Sequence, residues 1–81
     1  NEDFVNENEI VVYSNQNEIV ILASENIKEI IVFDVLGRKL YHNEKVNEKE
    51  FVVAKLTQSN QALLVKTTLT NGQSITKKVV F

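Results

Sequence analysis

Short apolar bursts rich in valine and isoleucine, each bounded by Asn, Ser, Glu or Gly, recur along the chain from Ile10 to Phe81. Bursts of roughly four to eight β-branched residues, spaced by about 8–12 positions between turn signals, mark a β-sandwich or barrel. The pattern predicts seven strands, over Ile10–Ser14, Glu18–Ala23, Ile27–Asp34, Arg38–His42, Glu50–Val53, Ala62–Leu69 and Ser74–Phe81. Helical periodicity is nowhere sustained long enough to compete. The links between strands are too short for parallel crossovers, so pairing should be antiparallel. Ile30-Ile31-Val32-Phe33 is apolar on both faces, as suits a central strand. The inward-facing set read from the alternation is Val12, Ile19, Ile21, Ile30, Val32, Leu40, Val52, Leu56, Leu63, Val65 and Val79. The expected fold class is all-β, an immunoglobulin-like antiparallel sandwich of about seven strands.

Turn chemistry supports the same reading. Thr70-Asn71-Gly72-Gln73 contains an Asn-Gly pair, whose tolerance of positive φ predicts a type I′ hairpin turn. Asp34-Val35-Leu36-Gly37 predicts a type I turn, with the Asp34 side chain bonding the backbone and Gly37 in the left-handed position. Ser14-Asn15-Gln16-Asn17 and Ser24-Glu25-Asn26 read as short links, and residues 1–9 as a linker or lead-in to a domain over 10–81.

Composition narrows the chemistry. There is no cysteine, hence no disulfide and no thiolate ligand or nucleophile. No apolar run is long enough for a membrane-spanning helix. The start lacks the basic and apolar regions of a signal peptide; lacking Met as well, it reads as part of a longer protein. Net charge is −2, too small to imply a nucleic-acid partner. Residues 1–34 nevertheless carry −7 and residues 35–81 carry +5. That asymmetry suits two halves attracting one another, or a basic face offered to a partner.

Candidate catalytic groups do not assemble into a motif. The single histidine, His42, has no Cys and no second His with which to build a zinc site. Ser14, Ser24, Ser59 and Ser74 lie in turns or at strand ends, without the strained elbow of a nucleophilic serine. The acids fall mainly on solvent positions, and a chain this short cannot wall a substrate cleft as well as build a core. The two glycines are explained by their turns, not by a phosphate loop. Arg38-Lys39 and Lys77-Lys78 are isolated basic pairs rather than a nucleic-acid footprint. These observations point away from an enzyme and from a cofactor, metal or small-molecule site. The last strand instead draws attention. Ile75, Lys77, Val79 and Phe81 alternate against Thr76, Lys78 and Val80, and an edge strand of this kind could recruit another strand.

Three segments carry a family resemblance. Ile30-Ile31-Val32-Phe33-Asp34-Val35-Leu36-Gly37-Arg38-Lys39-Leu40-Tyr41 resembles the strand–turn–strand signature of the type A C-terminal sorting domains of the type IX (Por) secretion system of Bacteroidetes. Leu56 followed by Gln61-Ala62-Leu63-Leu64-Val65-Lys66-Thr67 is similar to that family's central strand. Asn71-Gly72-Gln73 with Thr76-Lys77-Lys78-Val79-Val80-Phe81 is similar to its Lys-Lys-apolar ending. The Gly-x-Tyr element common in the family is replaced here by Asn60-Gln61-Ala62-Leu63, and the Pro-rich lead-in is absent.

The resemblance implies a non-catalytic secretion signal, linked covalently to an N-terminal cargo domain. The type IX translocon would recognise it in the periplasm, and a surface sortase would remove it as the cargo reaches the cell surface or medium. It further implies that Lys77, Lys78, Val79 and Val80 form the terminal signal, and that Gly37, Arg38 and Gly72 belong to shared turn motifs. The alternative is a structural or adhesive immunoglobulin-like spacer of an exported protein.

Overall fold

The structure, a computed structural model, describes residues 10–15, 17–54, 56 and 60–81. The lead-in expected over 1–9, and Ser59, lie outside the described residues. The described chain is all-β and antiparallel, with six strands. They are β1 (Ile10–Asn15), β2 (Glu18–Asp34), β3 (Lys39–Asn43), β4 (Glu48–Val53), β5 (Ala62–Leu69) and β6 (Ser74–Val80).

β2 organises everything else. Its 17 residues would span about 55 Å if straight, at roughly 3.3 Å per residue. The longest dimension of the molecule is only 36 Å, so β2 must bend. Its pairing registers show where. They shift between Leu22 and Ile27 against β4, and between Ile27 and Glu29 against β5. Before the bend, β2 lies between β1 and β4 (Ile21 opposite both Val12 and Phe51). After it, β2 lies between β3 and β5 (Val32 opposite both Tyr41 and Val65). β6 then pairs with β5. The sheet therefore curls, and its two halves share one core.

This explains why six strands replace the expected seven. Ser24-Glu25-Asn26 is no turn. These residues are exposed, and the chain continues through them as strand despite the weak β preference of Ser, Glu and Asn. It is carried by the paired residues on either side, Leu22 and Ile27, and by the Asn26 carbonyl accepting from the Thr70 N–H at 2.9 Å.

The core contains Ile10, Ile19, Ile21 and Val53 from one half and Ile30, Val32, Leu63, Val65, Val79 and Phe81 from the other. Ile27 and Leu69 join it beside the bend, with Val46 from the β3–β4 loop. Two members of the expected inward set are displaced. Leu40 is 44% exposed and Val52 is 39% exposed. Leu40 is the extra residue of a bulge, since Phe33 faces Lys39 while Val32 faces Tyr41, and a bulged residue leaves the pleat alternation. On β4 the alternation has the opposite phase, with Val53 buried and Val52 facing out beside Val20. A one-residue change of register exchanges the two faces.

Both long hairpins use the same turn. At β2–β3, the Gly37 N–H donates to the Asp34 carbonyl (3.0 Å), and the Asp34 N–H to the Arg38 carbonyl (3.0 Å). At β5–β6, the Gly72 N–H donates to the Leu69 carbonyl (3.0 Å), and the Leu69 N–H to the Gln73 carbonyl (2.7 Å). Gly37 and Gly72 take φ of 87° and 94°. The first turn is as expected. The second is not type I′, because Asn71 is not among the residues of positive φ. It is a type I turn closed by a glycine bulge, the common three-residue hairpin loop. Asn71 contributes through its side chain, its Oδ1 accepting from the Gln73 N–H at 2.9 Å.

Candidate functional site

The candidate signal residues lie on β6. β6 pairs with β5 alone among the described strands, so its other edge has no hydrogen-bonded strand there. The pleat divides its residues as the alternation predicts. Ile75 and Lys77 are half-buried and Val79 is buried, on the face that meets Thr67, Val65 and Leu63. Thr76, Lys78 and Val80 are exposed on the other face, Val80 at 61%. Phe81 follows immediately and is only 2% exposed. Its N–H donates to the Gln61 carbonyl (2.9 Å), and its carbonyl accepts from the Asn60 N–H (2.7 Å). Of the four candidate signal residues, then, Lys78 and Val80 are exposed, Lys77 is half-buried, and Val79 belongs to the core. Among the described residues, neither lysine is ion-paired.

The β2–β3 turn presents a different surface. Asp34 ends β2 and is 3% exposed. Its Oδ1 accepts from the backbone N–H groups of Leu36 and Arg38, each at 2.9 Å. Its Oδ2 accepts from Arg38 Nε at 2.6 Å. With four donors and one acceptor of the turn locked to this one residue, Val35 and Leu36 are held outward at 65% and 75% exposure. Arg38 thus has a definite structural task, although most of its side chain remains in solvent.

The Arg38 backbone N–H holds the Asp34 carboxyl below its ordinary range, helped by the Arg38 guanidinium and the Leu36 N–H, against burial, which pushes it up. A depressed carboxyl pKa contributes stability above the unfolded value of about 3.9, and loses it as pH falls through the folded value. Asp34→Asn should therefore unfold at lower temperature at neutral pH, with a shallower decline in midpoint as pH falls below about 4. Thermal denaturation across that pH range measures both. Parallel acid limbs for the two proteins would show that Asp34 does not carry this linkage.

One grouping escapes sequence reasoning. His42 Nε2 lies 2.6 Å from Glu29 Oε2, and Glu44 completes a set of three ligand-type side chains. His42 and Glu29 are 13 positions apart, so only the β2–β3 pairing reveals their meeting. Beside it, Ile27, Lys28, Glu44, Lys45, Asn47 and Thr70 line an open depression of about 360 Å³. Among the described residues, no helix is long and apolar enough to cross a membrane.

Over residues 1–81 the sequence matches the family described as Domain of unknown function (DUF8694). The chain belongs to that family. No curated protein matches it.

Proposed function

We propose that this DUF8694 domain is a non-catalytic secretion signal, read by the type IX machinery in the periplasm and carrying linked cargo to the cell surface or medium. In this reading the curled sheet is an immunoglobulin-like sorting domain, and a surface sortase removes it after translocation. The observation that carries the reading is the division of β6. Val79 and Phe81 fix the strand to the core, while Lys78 and Val80 stand outward beside an edge without a paired strand. A receptor strand could pair with that edge, alongside β1, for affinity and use the outward side chains for specificity. The displayed turn around Gly37 and Arg38 offers a second contact.

The test fuses residues 1–81 behind a Sec-targeted reporter in a Bacteroidetes host, and compares the parent with Lys78→Glu plus Val80→Ser. Both changes are at exposed positions and should alter stability by no more than about 0.5 kcal/mol each. The parent fusion is expected in the medium or on the surface, and the double variant in the periplasm. Retention of the parent in the periplasm would refute the secretion reading and favour a structural spacer. Equal export of both would remove β6 from the recognition surface. Deleting Thr76–Phe81 is a poorer test, because it also removes two core side chains.

A further inference from the structure

We propose that Glu29, His42 and Glu44 form a surface site for a divalent transition-metal ion of the zinc type. The inference is independent of the secretion reading. It begins with register. Ile31 faces His42, and Ile30 faces Asn43 at the end of β3, so Glu44 leaves the strand next to Glu29, the residue that precedes Ile30. Glu29 and His42 lie on the same face of the paired β2 and β3, and Glu44 reaches that face from the start of the β3–β4 loop. Such direct and diagonal neighbours are close enough for their side chains to meet. Their ligand atoms all lie within 4.8 Å of one another, a spacing that a single ion can bridge with small side-chain movements.

The surroundings hold these groups in place from three sides. Glu29 belongs to the central strand, paired with Thr68 of β5. His42 lies inside β3. Glu44 opens a loop whose Val46 is buried and whose Asn47 N–H donates to the Ile27 carbonyl at 2.7 Å. The side chains of Glu29 and His42 are about one-third exposed, at 30% and 31%, so an ion can reach them from solvent.

Ligand chemistry selects the ion. One imidazole and two carboxylates suit zinc, cobalt or nickel, whereas magnesium and calcium prefer oxygen ligands alone. Two carboxylates held together repel one another, and a divalent cation bound between them removes that repulsion. Lys28 and Lys45, which line the adjoining depression, oppose the ion and favour modest affinity. Three protein ligands leave at least one position open to water or to a partner's side chain.

The chain's single histidine makes the test direct, because His42 gives the only imidazole signals in a nuclear magnetic resonance spectrum. Untagged residues 1–81, freed of metal by chelation, would be titrated with zinc chloride. The expected result is saturable movement of the His42 signals at one zinc per chain, with no response to magnesium at the same concentrations. His42→Ala, and separately Glu29→Gln with Glu44→Gln, should weaken zinc binding by at least roughly tenfold, read by calorimetry, with unchanged circular dichroism. Unmoved His42 signals at millimolar zinc, or undiminished binding by either variant, would overturn the proposal and leave His42 and Glu29 as a simple pair.

Discussion

Ile27→Ala is expected to cost about 2–5 kcal/mol, the range for truncating a fully buried isoleucine. For a domain of 81 residues, total stability should be about 4–12 kcal/mol at roughly 0.05–0.15 kcal/mol per residue. The single change therefore removes a large share of it. Several features place Ile27 toward the upper end of the range. The side chain is 0% exposed, in the segment where the β2 registers shift against β4 and β5. Glu48 and Leu69 pair with it from opposite sides, and its carbonyl accepts from Asn47. A cavity there cannot collapse without disturbing β2, β4 and β5 together. Ile31, half-buried on the outer face of the same strand, is the control and should lose distinctly less. Urea denaturation measures both. If Ile27→Ala lay within about 1 kcal/mol of the parent, the segment would be able to repack, and the bend would not depend on this side chain.

The legible and illegible parts of this fold divide on physical grounds. Strand identity in Ile30–Phe33 and Ala62–Leu69 is local, because short apolar runs with β-branched residues between turn signals have few other uses in a chain without helical periodicity. The Asp34–Gly37 turn is equally local, its hydrogen bonds lying within five residues of sequence. Phase and continuity are not local. Nothing in Ser24-Glu25-Asn26 announces that strand pairing on both sides of it, at Leu22 and Ile27, will carry the chain through without a turn, and nothing in Leu40 announces the bulge that turns it outward. The Asn71-Gly72 pair is compatible with two hairpin loops, and the register of β5 against β6 selects the longer one. The division of β6 into two faces follows from alternation alone, so Lys78 and Val80 could be placed outside from sequence. The meeting of Glu29, His42 and Glu44 could not, because it needs the pairing of β2 with β3, including its bulge-dependent register.

Phe81→Ala should be as damaging as a change at the bend, at about 3–5 kcal/mol for losing a buried phenylalanine ring. The ring is 2% exposed within the common core, and the residue's backbone closes two hydrogen bonds with Asn60 and Gln61. Lys78→Ala, three positions earlier, removes an exposed side chain and should cost no more than about 0.5 kcal/mol. Thermal denaturation of the two variants side by side makes the comparison, with a midpoint difference of about 10 °C or more expected at 4–8 °C per kcal/mol for a domain of this size. Similar midpoints would mean that Phe81 does not anchor the strand. The contrast bears on any partner that engages β6. Pleating places core-forming and displayed residues in strict alternation, so a partner can read Lys78 and Val80 only while Val79 and Phe81 hold the strand in place. A substitution at Val79 or Phe81 would then abolish recognition by releasing the strand, without either side chain having touched the partner.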